Sequence, residues 1–119
     1  MASAIQQQGF ATLYVQFPTN SAAIQPEAKP AITEVVALLA KDTSLKISVE
    51  GHTDNVGNAA ANKKLSQDRA ASIVKALVDA KIDSQRLQAK GWGSEVPVAD
   101  NRTEEGRTKN RRVELVKIK

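Results

Sequence analysis

Residues 45–78 read LKISVEGHTDNVGNAAANKKLSQDRAASIVKALV, and the period of hydrophobicity changes inside that stretch. Leu45, Ile47 and Val49 alternate with polar residues, as on a strand with one buried face. From about residue 58 to 80 the apolar positions Leu65, Ala70, Ile73, Val74 and Leu77 recur at helical spacing. Between the two lies a loop rich in glycine and asparagine, flanked by Gly51 and Gly57, where the backbone must bend or come close to something. A strand, a tight loop and a long amphipathic helix follow one another, and the chain on either side repeats that alternation.

Upstream, TLYVQF at 12–17 alternates with Leu13, Val15 and Phe17 on one side, which predicts another half-buried strand. PTNS turns the chain. Pro26 and Glu27 then open a helix whose core face is Ala28, Ile32, Val35, Val36 and Leu39. Pro30 is tolerated only in a first turn, so the regular helix begins close to it. Downstream, RLQAKGWG predicts a third strand with Leu87, Ala89 and Gly91 on one face, and Gly91 and Gly93 at its end. GSEVPVADN is a loop, Thr103 to Lys109 a short helix, and RRVELVKIK a last strand. The order is βαβαβ, a short helix, then β. Strands that alternate polar with apolar belong to a sheet covered on one face. The expected fold is therefore α+β: a two-layer α/β sandwich, one mixed sheet with two main helices on one face.

Composition narrows the function classes. The chain has 119 residues, 41% of them hydrophobic, the size and apolar content of one globular domain. With no cysteine, disulfides, thiolate metal sites and cysteine nucleophiles are excluded. No apolar run approaches the roughly 18 residues of a membrane span, and MASAIQQQGF lacks the basic start and apolar stretch of a signal peptide. Met1-Ala2-Ser3 reads as an appended remnant ahead of a domain taken from a longer chain. The net charge of +4 resides in residues 102–119, which hold seven basic residues (Arg102, Arg107, Lys109, Arg111, Arg112, Lys117 and Lys119) against Glu104, Glu105 and Glu114.

Three chemistries are open for the loop and its flanks. His52 is the only histidine and has Asp54 two positions on, but there is no H-x-x-x-H pair for a metal and no nucleophile elbow. It is expected to be partly buried, its ring hydrogen-bonding the loop. The basic segment NRTEEGRTKNRR suggests a nucleic acid, yet aromatic residues make up only 3% of the chain, so bases have little to stack on. Arg111 and Arg112 would also point to opposite faces of a strand. The third reading is a zwitterion pocket. A loop-to-helix junction favours a carboxylate, Arg69 adds a forked donor, and Asp54 offers an acceptor for an ammonium. By spacing alone, Asp54 and Arg69 are equally a plain salt bridge.

GHTDNVGNAAANKKLSQDRAASIVKAL, followed by RLQAKGWGSEVPVADNRTEEGRTKNRRVEL, closely resembles the OmpA-like peptidoglycan-binding domain family, which includes the C-terminal domain of outer membrane protein A, peptidoglycan-associated lipoprotein and MotB-type stator proteins. The G-H-T-D loop, the N-x-x-L-S-x-x-R-A helix, the G-x-G…P-v-a-x-N segment and G-R-x-x-N-R-R-V-E are all present, across about residues 10 to 118. The resemblance implies a domain over 10–119 behind a short extension at 1–9. It implies binding without catalysis and without a metal or cofactor. The implied partner is peptidoglycan, recognised through the diaminopimelate of its stem peptide, and not nucleic acid.

By matching position, Asp54 takes the ammonium and Arg69 the carboxylate of that residue. Asn55 and Gly57 shape the loop, Asn62 and Leu65 line the pocket, and Thr19 and Asn20 form its wall. Asn110, Arg111 and Arg112 are mainly structural, with Arg111 the one of the three that touches the ligand. The implied setting is the periplasm of a Gram-negative envelope, in a parent protein held to a membrane by a segment outside this chain, as a monomer or a homodimer.

Overall fold

The computed structural model describes residues 9–13, 17 and 21–118. Among the described residues there are four strands in one sheet, two main helices and a short third. Strand β1 spans Phe10–Leu13. A single 3-10 turn at Pro26–Ala28 leads into α1, Lys29–Lys41, with Pro30 in the first turn where its missing N–H costs nothing. Strand β2 is Ile47–His52 and α2 is Ala59–Asp79. A 3-10 turn, Ser84–Arg86, precedes β3, Leu87–Gly93. Helix α3 is Glu104–Asn110 and β4 is Val113–Lys117.

The sheet order is β1-β4-β2-β3, so the last strand lies at its centre. It runs antiparallel to both β1 and β2, while β2 and β3 are parallel, as expected of two strands joined through a helix. Ala11, Leu13, Ile47, Val49, Leu87, Val113 and Leu115 face Val35, Leu38, Leu39, Ala70, Ile73 and Leu77 in a single core. The opposite face carries exposed or half-buried Thr12, Glu50, Gln88, Lys90 and Glu114. The two-layer sandwich with a mixed sheet is thus the observed architecture.

Two details differ from expectation. The first strand starts at Phe10, because its register with β4 begins at Phe10↔Val116 and closes at Leu13↔Val113. Val15 lies outside the described residues, and Phe17 packs half-buried against the core. On α2 the expected core position Leu65 is only half-buried, whereas its neighbour Ser66 is fully buried. The cause is close approach of helix to sheet: a Cβ added at Gly51 would sit 2.3 Å from the Ser66 carbonyl oxygen, and one at Gly91 would sit 2.4 Å from the Gln67 nitrogen. A side chain as small as serine fits there, and its hydroxyl accepts the Gly93 N–H at 2.9 Å.

Helix α2 is bounded by local chemistry. Asn58 caps it, the side chain accepting the Ala61 N–H at 3.0 Å. At the other end Lys81, with φ 77°, takes the left-handed position usually given to glycine, and Ile82 N–H reaches back to Leu77 O at 3.1 Å. The buried Ile82 anchors this reversal.

Candidate functional site

The site forms at the rim of the sheet, where β2 leaves through Thr53 and Asp54 and α3 hands over to β4. Asp54 is buried. One carboxylate oxygen accepts the Val56 N–H at 3.0 Å, an Asx turn that folds the loop back on itself. Thr53 N–H donates to Gly93 O at 2.8 Å, tying the loop base to the end of β3. Gly57 has φ +90°, and Asn62 on α2 donates to Val56 O at 2.8 Å. The loop is therefore braced from the strand, from the helix and from within, and its carboxylate has a set direction before any ligand arrives.

The other oxygen of Asp54 accepts Arg111 Nη1 at 2.6 Å. Arg111 also reaches Glu104 Oε1 at 2.8 Å and Thr108 Oγ1 at 2.9 Å through Nη2. Its pKa is raised, chiefly by the Glu104 hydrogen bond, with burial opposing and Asp54 adding. Glu104, held by Arg111 and Arg107, lies below the usual carboxylate range.

Arg69 lines a cleft together with Arg111. Its Nε donates to Ser21 O at 2.9 Å, and its guanidinium lies 4.9 Å from the centre of the Phe17 ring. Burial lowers its pKa, the neighbouring Arg111 lowers it further, and Asp54 works against both. A narrow cleft between α2 and the strand ends is lined by Phe17, Ser66, Arg69, Arg111 and Arg112, together with the ends of β2 and β4. Three guanidiniums line this cleft, and the Asp54 carboxylate lies against one of them, Arg111, so charges of both signs are close together at its edge.

Of the expected site residues, the structure brings Asp54, Arg69 and Arg111 together. Asn55 and Gly57 are exposed in the loop, where Gly57 takes a positive φ. Asn62 braces the loop, and with Leu65 it lines a shallower neighbouring depression shared with Ala61, Lys64 and Asp68, not the cleft itself. Thr19 and Asn20 lie outside the described residues. Arg111, expected to be mainly structural and to touch the ligand, is the direct ion-pair partner of Asp54. Phe17, Glu104 and Thr108 were not anticipated. A capping threonine at position 103 followed by glutamates signals the start of α3, but not that this helix would face the loop.

His52 is a correction. It is buried, yet neither ring nitrogen hydrogen-bonds a protein group among the described residues; Glu114 Oε1 is 3.9 Å from Nε2. Burial lowers its pKa below 6.5, Arg112 adds to that, and Glu114 and Glu50 oppose it. Arg112 is equally buried and saturated: Nε pairs with Glu114 at 2.7 Å, and its terminal nitrogens donate to Asn110 O and Val96 O. Arg111 and Arg112 do diverge, though both precede the strand.

Among the described residues of the basic C-terminal segment, five cations are already paired with carboxylates. Arg102 pairs with Asp100, Arg107 with Glu104, Lys109 with Glu105, Arg111 with Asp54 and Glu104, and Arg112 with Glu114. The nucleic-acid reading has no support in this geometry. Among the described residues no three acidic or histidine side chains cluster as a metal site, and no helix is long and apolar enough to cross a membrane.

The OmpA family model matches residues 16–111. Outer membrane protein Omp38 of Acinetobacter baumannii is 42% identical over 102 residues, covering 85% of this chain and 29% of its own length. Among solved structures, the peptidoglycan-associated lipoprotein of Burkholderia pseudomallei superposes with a TM-score of 0.80 at 28% identity, covering 87% of this chain and 88% of that one. The cell wall anchor of the T6SS from Pseudomonas aeruginosa gives 0.76 at 30% identity, covering 99% and 94%. The chain spans between 29% and 61% of the length of the first curated relatives it matches.

Proposed function

This chain belongs to the OmpA family, and from that premise we propose that it binds peptidoglycan without covalent chemistry, through the diaminopimelate of the stem peptide. In a Gram-negative envelope it would tether the parent protein to the cell wall from the periplasm. Two relatives of the same fold carry names that point this way, a peptidoglycan-associated lipoprotein and a cell wall anchor. The observation that carries the proposal is the buried Asp54 carboxylate paired with Arg111, whose guanidinium lines the same cleft as Arg69.

The free end of diaminopimelate presents an ammonium and a carboxylate on one carbon. Asp54 takes the ammonium, and Arg69, held by Phe17 and Ser21, takes the carboxylate. Each charge-assisted contact contributes about 1.5–3 kcal/mol, against the ordering and desolvation costs of association. Single-site binding is then on the order of micromolar to millimolar. A polymeric wall makes that sufficient, since several tethered copies gain avidity from their high effective concentration. The proposed role is binding, not catalysis: the single histidine is enclosed, and the sequence has no nucleophile elbow.

Sedimentation with purified diaminopimelate-type sacculi tests this. Wild type should co-sediment, and Asp54→Ala and Arg69→Ala should stay in the supernatant while keeping a cooperative thermal transition. Free diaminopimelate should shift the amide signals of residues 53–58, with lysine and glutamate as controls. If the double variant sediments like wild type, the pocket assignment is wrong.

A further inference from the structure

The Asp54 carboxylate already has a cation: Arg111 Nη1 at 2.6 Å. That is the partner position the ligand's ammonium would need. The two partners are not held alike. The Asp54 side chain is 10% exposed and its other oxygen is fixed by the Val56 N–H, whereas the Arg111 side chain is 40% exposed. The Arg111 backbone is anchored by its N–H on Arg107 O at 3.1 Å, so any displacement falls to the side chain. A second seat is in reach, because Nη2 rests on Glu104 Oε1 and Thr108 Oγ1.

We propose that Arg111 is an internal counter-ion, which holds Asp54 while the cleft is empty and withdraws onto Glu104 and Thr108 when an amine-bearing ligand arrives. This deepens the reading of the cleft as a diaminopimelate site and rests on it. A buried carboxylate without a cation is strongly unfavourable, so a site built around Asp54 alone would be poorly maintained between binding events. Arg111 removes that problem at the expense of affinity. A guanidinium and an ammonium crowded on one carboxylate repel each other, so only the fraction of molecules with Arg111 withdrawn is competent, and the apparent affinity falls by that fraction. Glu104 makes the exchange feasible, since the guanidinium leaves one carboxylate while already touching another.

The test is a calorimetric titration of free diaminopimelate into wild type, Arg111→Gln and Glu104→Ala. Glutamine still donates a neutral hydrogen bond to Asp54 without competing as a cation. Arg111→Gln should bind at least about tenfold more tightly than wild type, the size expected when a competent minority becomes the whole population. Glu104→Ala, which removes the alternative seat and spares the Asp54 contact, should bind more weakly. Equal or weaker binding by Arg111→Gln would mean that Arg111 contacts the ligand or only supports the fold, and the inference falls while the pocket stands. Should Arg111→Gln fail to fold, unchanged or tighter binding by Glu104→Ala overturns the inference. Absence of binding by wild type overturns both the inference and the pocket.

Discussion

Two regions of this domain use opposite means of holding together. Where α2 lies on β2 and β3, backbone touches backbone: Gly51, Gly91 and the buried Ser66 bring helix and sheet so close that an added methyl has no room. At the rim a few ångströms away, the loop of Asp54 meets Arg69 and the α3–β4 junction through charged, partly open side chains. The first region fixes the distance between the elements. The second uses that distance to bring charges of both signs to one opening. A fault in the first should therefore cost the fold, and a fault in the second should cost binding.

The sharpest way to break the comparison is Gly91→Val. Its Cβ would fall 2.4 Å from a backbone nitrogen that cannot move without the helix, and overpacking of this kind costs about 3 kcal/mol or more. Urea denaturation should show loss of most of the domain's stability. Next comes Asn110→Ala. Asn110 is fully buried; its oxygen accepts the Val98 and Ala99 N–H groups, and its amide donates to Ala99 O and Asn101 Oδ1. Leaving those groups unsatisfied should cost about 2 kcal/mol or somewhat more, read as a lower thermal midpoint. This residue joins the two regions, since it secures the loop after β3 to the helix that delivers Arg111.

A pH titration probes the boundary more gently. His52 is enclosed at the end of β2 with its pKa held below 6.5 by burial and by Arg112. The unfolded chain titrates near 6.5, so above that pH both states are neutral and stability is complete. As pH falls through 6.5 the unfolded state binds its proton first, and stability declines until the folded pKa is passed. Thermal midpoints between pH 8 and 5 should fall for wild type, and His52→Gln should lessen that fall. The smallest effect belongs to Lys117→Ala on the exposed end of β4. It should change stability by no more than about 0.5 kcal/mol and leave sacculus binding intact, whereas a nucleic-acid site would show a steep salt dependence.

The strands and helices were legible because their hydrophobic periods are strong. Leu45 just ahead of β2, Ile47 and Val49 on it, and Ala70, Ile73 and Leu77 on α2 are all buried as the pattern requires. Leu65 misled for a physical reason: periodicity reports which face turns inward but not how near the opposing layer stands. On α2 that layer is near enough that Ser66 occupies the contact. His52 was legible as partly buried, but not as having no ring hydrogen bond among the described residues, since local sequence carries no account of which acceptors the fold delivers.

The chain's own order of residues settles the alternating elements, the capped start of α2 and the placing of Asp54 just beyond a strand, because each depends on neighbours within a few positions. The pairing of Asp54 with Arg111 has no such local cause. The two are 57 residues apart. They meet because the last strand enters the middle of the sheet, against β2, and carries the α3 junction to the loop. That placement is decided by which faces can be buried together, a property of the whole packed chain.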